Sequence, residues 1–222
     1  METIGDRSFY NTLEEVIKPC HTAVLVIDQQ NDFCHSRGYY AEVLGLDVSM
    51  TQGINGPINQ LTTSARSHGA MVIFTQFVIA KGFSSDSPMW LALHVGAGLK
   101  SLDQERFYTI EDTWGAELYE KMEVAPEDHV IKKFRGSAFV KTPLDALLRK
   151  HSIETLIITG QVTEGCVEST IRAARDADYF TVLAKDAIGS TSRERHDRTM
   201  SGWLNRTYCP NVADIVAVWE RG

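Results

Sequence analysis

Three side chains that could take part in catalysis each follow an apolar segment of this 222-residue sequence. Asp28 ends the run TAVLVID, Lys133 follows the apolar pair in DHVIKK, and Cys166 comes shortly after ETLIITG. A thiol can act as a nucleophile, a carboxylate can accept its proton, and an amine can stabilise the charges that develop. The three residue types together therefore predict nucleophilic catalysis if the fold brings them to one place.

The position of Cys166 favours a reactive thiol. A helix is predicted over residues 163–179, with Thr163 as its N-cap and Cys166 three residues later in the first turn. The unpaired N–H groups and the positive dipole end of a helix stabilise an anion there, so we expect a lowered pKa for this thiol. The alternative is that Cys166 is a small apolar residue that packs the helix against the sheet.

The charged partners are less certain from the residues alone. Either Lys132 or Lys133 points inward from the strand predicted over 128–134, and the periodicity does not decide between them. An inward lysine would stabilise the thiolate, and Asp28 would take the thiol proton and pass it to the leaving group. Asp28 could instead be a turn-forming residue or a helix cap.

The elements that must position these side chains alternate between strand and helix along the chain. This alternation predicts a single doubly wound α/β domain with a mainly parallel sheet of about six strands, flanked by helices. In such sheets, ligands bind outside the carboxyl ends of the strands, which is where the three candidate residues lie. The predicted strands are 22–28, 70–77, 128–134, 154–160 and 180–187, the predicted helices are 47–68, 142–151, 163–179 and 192–206, and 213–220 is a last strand or helix.

The length of the chain suits one domain rather than two. Residues 1–20 are expected to form an N-terminal arm with one short helix, and residues 21–222 to form the single α/β domain. The segment 80–118 is rich in glycine and less regular, so we expect a loop-rich excursion that covers part of the molecule.

Composition excludes several classes of protein. The net charge is −7 and no basic run stands out, which argues against binding to nucleic acid. No apolar stretch approaches the roughly 20 residues that span a bilayer, so no membrane association is expected. The N-terminus lacks the apolar core of a signal peptide, and the four cysteines show no CxxC spacing; reduced thiols and a cytoplasmic location are expected.

Three segments of the sequence, in order, resemble the cysteine hydrolases of the isochorismatase-like superfamily: VLVIDQQNDF, VIKKFRGSAFVKTPLDALLRKHSIETLIITG and GQVTEGCVESTIRAARDADYFTVLAKDAIGS. That superfamily includes nicotinamidases, N-carbamoylsarcosine amidases, biuret hydrolases and ureidoacrylate amidohydrolases. The resemblance implies a catalytic triad of Asp28, Lys133 and Cys166, and thus selects Lys133 over Lys132. It also implies a cis peptide bond between Gln161 and Val162, with an oxyanion hole formed by the amides of Val162 and Cys166.

The function implied is that of a metal-independent cysteine amidohydrolase. It would cleave a C–N bond of a small amide, carbamoyl or ureido substrate through a thioester intermediate. Nicotinamidases carry an Asp-x-His metal site near the second strand, but here that stretch begins with Gln76, Phe77 and Val78, so no metal and no other cofactor are expected. The alternatives are an isochorismatase-type vinyl-ether hydrolase, which does not need the thiol, and a nicotinamidase-like amidase.

The substrate pocket is less defined by the sequence. The stretches GYYAEVLGLDVS and TWGAEL look most like those of biuret and ureidoacrylate hydrolases, and the family implies a homodimer or homotetramer. Each candidate for the pocket wall could equally be a packing residue. These candidates are Phe33, Gln76, Trp90, Trp114 and Arg135.

Overall fold

A computed structural model describes residues 1–104 and 106–222 of the chain. Its described part contains a central sheet of five strands, all parallel, and a separate two-stranded hairpin at the N-terminus. The hairpin consists of β1 (Glu2–Ile4) and β2 (Arg7–Phe9), and the central sheet of β3 (Thr22–Ile27), β4 (Met71–Phe77), β5 (His129–Lys133), β6 (Thr155–Gln161) and β7 (Phe180–Gly189).

Helices cover both faces of the sheet. Short 3₁₀ turns lie at Pro19–His21, Lys81–Phe83 and Trp114–Ala116, and a π-helical turn lies at Thr163–Val167. The α-helices are α1 (Leu13–Val16), α2 (Asn31–Cys34), α3 (Tyr39–Glu42), α4 (Ser49–Gly53), α5 (Asn55–Ser67), α6 (Pro88–Gly96), α7 (Leu144–Lys150), α8 (Glu168–Asp176), α9 (Arg193–Trp203) and α10 (Val212–Arg221).

The strand order β5-β4-β3-β6-β7 confirms the doubly wound arrangement. The chain runs outward from β3 through β4 to β5, and then returns to place β6 on the other side of β3. The order of strands therefore reverses between β3 and β6, where the loops leave the sheet in opposite directions and open a crevice. Asp28 follows β3 and Cys166 follows β6, so both lie at this point.

Strand β3 is buried on both faces, as its continuous apolar run predicts. Val24 and Val26 face the core beneath α5 and α10, whereas Ala23, Leu25 and Ile27 face the core beneath α7, α8 and α9. The period of two thus divides one strand between two hydrophobic cores, which fixes its register in the centre of the sheet.

The predicted number of strands was wrong by one. The segment 213–220 is part of helix α10, which packs its residues Ile215 and Trp219 against the sheet. Asn211 and Asp214 form a capping box at its start, a signal for a helix rather than a strand. The helix predicted over 47–68 is interrupted at Ile54 and forms α4 and α5.

The C-terminal part of the N-terminal arm packs against the rest of the molecule. Val16 and Ile17 are buried in the core, and the indole of Trp219 donates a hydrogen bond of 2.7 Å to the carbonyl of Ile17. Thr155, the first residue of β6, donates to the carbonyl of Val16 at 2.6 Å. These contacts join the arm to both the sheet and α10.

The excursion over 80–118 contains α6 in addition to its loops, and residue 105 lies outside the described residues. Gly115 within it lets the backbone approach a buried carboxylate: a Cβ at this position would lie 1.9 Å from Oδ2 of Asp32. Among the helices of residues 1–104 and 106–222, none has the length and apolar character needed to cross a membrane.

Candidate active site

Asp28 lies directly after β3 and is fully buried. Its backbone is in the left-handed region, with φ of 50°, which turns the chain sharply out of the sheet. Thr75 of β4 fixes the side chain, because its hydroxyl donates to Oδ1 of Asp28 at 2.7 Å and accepts from the Asp28 amide at 3.2 Å. The carboxylate is therefore held in one orientation by the neighbouring strand.

Lys133, the last residue of β5, is also fully buried and forms an ion pair with Asp28, with 2.7 Å between Nζ and Oδ2. The ammonium also donates to the carbonyls of Arg135 and Gly136 at 3.0 and 2.9 Å. Burial acts to lower the pKa of Lys133, but Asp28 and Cys166 raise it, and the net shift is upward. Lys133 is therefore charged, and Lys132, which points outward to Glu111, is not part of this cluster.

Cys166 lies at the π-helical turn that follows β6, with its thiol close enough to Asp28 and Lys133 for both to affect its pKa. The predicted cap was wrong: Val162 occupies the cap position, and the Thr163 hydroxyl donates instead to the carbonyl of Gly189 at 2.9 Å. The turn is distorted at Gly165, with φ of −111° and ψ of −105°, before α8 continues regularly.

The pKa of Cys166 also differs from the sequence-based expectation. It is about 12, because burial, and after it the carboxylate of Asp28, raise it by more than Lys133 lowers it. The expectation of a lowered pKa considered only the helix terminus and neglected desolvation, which disfavours a buried thiolate. The resting site thus holds a protonated thiol beside an aspartate–lysine ion pair, and the thiol needs a base before it can attack.

Val162 lies between the end of β6 and the nucleophile turn. The peptide bond between Gln161 and Val162 is cis. The carbonyl of Val162 accepts from the amide of Gly165 at 3.0 Å and from that of Val167 at 3.3 Å, which closes the turn around Cys166.

Aromatic side chains form a wall next to these residues. The ring of Phe33 lies 4.7 Å from that of Tyr40 and 6.0 Å from that of Tyr108, measured between ring centroids. The ammonium of Lys133 lies 5.0 Å from the ring centroid of Phe77, which in turn packs against Tyr108. Burial raises the pKa of Tyr40, as do Tyr108 and then Cys166, so its hydroxyl stays protonated.

Two further candidates for the pocket wall, Trp90 and Arg135, lie together beyond Phe77. The guanidinium of Arg135 lies 5.1 Å from the ring centroid of Trp90, and Trp90 packs on Phe77. Arg135 is also 3.6 Å from Asp86, whose other oxygen is 3.0 Å from Nε2 of the buried His94. Burial lowers the pKa of His94 in spite of this carboxylate.

The structure does not bring Gln76 and Trp114 to the three catalytic candidates. Gln76 points to the opposite side of β4 from Thr75 and Phe77, and its amide donates to the carbonyl of Ala116 at 3.0 Å. Trp114 packs edge-on against His35, with the guanidinium of Arg37 over its ring.

The end of β4 does not fit the metal site of nicotinamidases. Phe77 and Val78 are buried and have no ligand atoms in their side chains, and the Gln76 amide is engaged with Ala116. Over residues 1–104 and 106–222, no three histidine, cysteine or acidic side chains are grouped so that they could hold a metal ion.

Sequence reasoning missed several residues that shape this site. Thr75 could have been noticed as a lone hydroxyl in the apolar strand MVIFTQF, at the level where the neighbouring strand ends on Asp28. Tyr40 and Tyr108 gave no such signal, because their contact joins segments nearly seventy residues apart.

The comparisons with known proteins agree with this geometry. The family model described as the isochorismatase domain matches residues 22–206. The chain therefore belongs to the isochorismatase family, and it is a hydrolase of that family.

Relatives and solved structures make the similarity more specific. The chain is 35% identical to the ureidoacrylate amidohydrolase RutB of Pseudomonas syringae pv. syringae, over 90% of this chain and 86% of the relative. It is 32% identical to RutB of Enterobacter sp., over 88% and 90%. A cysteine hydrolase from Pseudomonas syringae pv. phaseolicola superposes with a TM-score of 0.80 at 25% identity, over 93% of this chain and 95% of that one. N-carbamoylsarcosine amidase from Thermoplasma acidophilum, at 20% identity and a TM-score of 0.66, shares the fold.

Proposed function

We propose that this chain is a cysteine amidohydrolase that cleaves a C–N bond of a small carbamoyl or ureido substrate. The observation that carries the proposal is the thiol of Cys166 facing the buried ion pair of Asp28 and Lys133 at the point where strand order reverses. The similarity to ureidoacrylate amidohydrolases over most of the chain supports a ureido acid as the first substrate class to test.

The proposed reaction begins with removal of the thiol proton. Asp28 accepts this proton as the sulfur of Cys166 attacks the substrate carbonyl, so that a C–S bond forms while the carbonyl becomes an oxyanion. The amides of Val162 and Cys166 stabilise the oxyanion. Asp28 then gives the proton to the departing nitrogen as the C–N bond breaks, which leaves a thioester, or a thiocarbamate if the substrate is a ureide.

Water completes the cycle. The oxygen of the water attacks the thioester while Asp28 takes a proton from that water. The C–S bond then breaks, and Asp28 gives this proton to the sulfur. Lys133 stays protonated throughout, and its charge opposes the negative charge that develops on the sulfur. No metal takes part in the proposed cycle.

The test is ammonia release from a panel of biuret, N-carbamoyl amino acids, ureidoacrylate, maleamate and nicotinamide. We expect release that persists after treatment with a chelator and falls by at least about a thousandfold in Cys166→Ala. Cys20→Ala is the matched control, since it removes an exposed thiol and should keep full activity. Activity that is lost to the chelator, or that survives in Cys166→Ala, would contradict the mechanism.

A further inference from the structure

Gln161, the last residue of β6, has a fully buried side chain that contacts the backbone of Asp28. Its amide nitrogen donates to the carbonyl of Asp28 at 3.1 Å and to the sulfur of Cys34 at 2.8 Å. A buried amide with two such contacts is fixed in position, because losing either would leave a polar group unpaired away from water.

The contacts continue away from the active site through the buried thiol of Cys34. The Cys34 thiol donates to the side-chain oxygen of Gln29 at 3.3 Å, and the Gln29 amide donates to Asn55 of α5 at 2.7 Å. Cys34 and Gln29 each accept from one neighbour and donate to the next, an arrangement in which hydrogen bonds strengthen one another. Burial raises the pKa of Cys34 to about 12, although the hydrogen bond from Gln161 lowers it, so the thiol keeps the proton that it donates.

The carbonyl that Gln161 holds belongs to a strained residue. A left-handed backbone is unfavourable for a non-glycine residue and persists only where its surroundings enforce it. On its amide side, Asp28 is held by Thr75. On its carbonyl side, it is held by the amide of Gln30 at 2.9 Å and by the side chain of Gln161.

Gln161 also precedes Val162, whose amide the proposed mechanism uses for the oxyanion. Its side chain is therefore anchored to the base and to α2, while its backbone leads to the oxyanion donor. We propose that Gln161 is a positioning residue that, with Cys34, sets the Asp28 carboxylate relative to Cys166 and the Val162 amide. This inference rests on the proposed function for its kinetic test, and it has a second test that needs no substrate.

The kinetic test compares Gln161→Met, Cys34→Ala and Cys34→Ser with the parent enzyme, using the best substrate of the panel. Methionine has a similar volume and no N–H donor, so we expect kcat to fall roughly tenfold to a hundredfold while KM changes by less than about threefold. Cys34→Ala should lower kcat in the same direction. Cys34→Ser, whose hydroxyl can accept and donate like the thiol, should restore kcat to within about threefold of the parent value.

The matched control is Thr159→Val. Thr159 lies two residues earlier on β6, is equally buried, and donates to the carbonyl of Leu25 rather than to that of Asp28. Its substitution should lower the urea midpoint without lowering kcat. If Gln161→Met and Thr159→Val lose activity only in proportion to their loss of stability, or if Gln161→Met keeps kcat within threefold of the parent, the positioning role is wrong.

The second test measures how fast iodoacetamide alkylates Cys166 as a function of pH, with peptide mapping to separate the four cysteines. If Gln161→Met lets the Asp28 carboxylate move away from the thiol, the alkylation profile of Cys166 should shift to lower pH. An unchanged profile would overturn the inference. This measurement needs no turnover. A parent enzyme that releases no ammonia from any compound of the panel would contradict the proposed function, and the alkylation profile would still decide the positioning role of Gln161.

Discussion

At the residue scale, the central feature of the site is that the thiol of Cys166, the proposed nucleophile, is protonated at rest. The pKa of Cys166 is about 12, because burial and the carboxylate of Asp28 raise it by more than Lys133 lowers it. A neutral thiol beside a carboxylate is a pair that shares one proton, which Asp28 can receive only as the C–S bond forms. In the proposed mechanism, the thiolate therefore forms only as the substrate reacts, and at rest the protonated thiol is a poor nucleophile toward other electrophiles.

This arrangement makes a prediction about Asp28→Asn. The substitution removes a charge that raises the pKa of Cys166 and leaves Lys133, which lowers it. We therefore expect the pH midpoint of Cys166 alkylation to fall by at least about one unit, even though turnover is abolished. The rate of iodoacetamide labelling from pH 7 up to the onset of alkaline unfolding measures this shift, with the exposed Cys20 as an internal reference.

A charge-matched control separates this local effect from a change in net charge. Glu168→Gln also removes one negative charge, but Glu168 pairs with Arg172 on the surface of α8 at 2.6 Å. Its labelling profile should match that of the parent. If Asp28→Asn also left the profile unchanged, the proposed proton transfer between Asp28 and Cys166 would lose its basis.

At the scale of elements, the site depends on how closely β3 and β6 approach each other at their carboxyl ends. Gly160 pairs with Ile27 in the parallel register and has φ of 100°, and a Cβ there would lie 2.1 Å from the carbonyl oxygen of Ile27. Only glycine can bring the strand this close and turn it toward the nucleophile. Ile27, which precedes Asp28, thus faces Gly160, which precedes Gln161.

We expect Gly160→Ala to lower the free energy of unfolding by more than about 1 kcal/mol, because alanine meets both a clash and an unfavourable backbone conformation. Gly202→Ala is the comparison: this glycine lies in α9 with no atom near the added methyl group, and the substitution should stabilise the protein by about 0.5–1 kcal/mol. Urea unfolding of both variants measures these effects. Equal stabilities would show that the close approach is not required.

The sequence predicted the positions of the catalytic candidates because each depends on a local pattern. Apolar runs marked the ends of β3, β5 and β6, and parallel strands place those ends at one edge of the sheet, which brought Asp28 and Cys166 together. Choosing Lys133 over Lys132 required the family resemblance, because one strand residue more or less reverses the side-chain direction.

The features that sequence reasoning missed depend on long-range packing. The raised pKa of Cys166 follows mainly from its burial in the folded chain, which no local pattern of the sequence shows. Gln76 is predicted to line the pocket from its place near the end of β4, but its direction depends on the alternation that places Thr75 and Phe77 inward. The last segment is an exception, because its helix α10 begins with a local signal, the capping box of Asn211 and Asp214, that the prediction of a strand or a helix did not use.

At the scale of the whole molecule, many buried groups that are neutral when protonated have raised pKa values. Burial is the largest cause for Cys34 and Cys166, which both shift to about 12, and for Tyr179, which also shifts to about 12. The same cause raises the pKa of Tyr40 and Tyr108. These side chains come from segments spread over the chain, and the fold keeps all of them protonated.

The consequence is that the fold should lose stability in alkali. An unfolded cysteine ionises near pH 8.5 and an unfolded tyrosine near pH 10, whereas the folded groups keep their protons to a higher pH. Between those values the native state binds more protons than the unfolded state, so the free energy of unfolding falls as the pH rises. We expect the contribution of these groups to be fully present below about pH 8 and to decline steadily from about pH 9 toward 12.

Urea unfolding at pH 7, 9 and 10.5 measures this decline, and Cys166→Ala isolates one contributor. The variant lacks a thiol that ionises only after unfolding, so its midpoint should fall less steeply with pH than that of the parent. Cys20→Ala should follow the parent, because Cys20 is exposed and no comparable desolvation acts on it. A midpoint that stays constant up to pH 10.5, or a Cys166→Ala variant as steep as the parent, would show that the thiol is not held protonated by the fold. It would then have to be ionised at rest, and Asp28 would no longer be needed as the base for the attack.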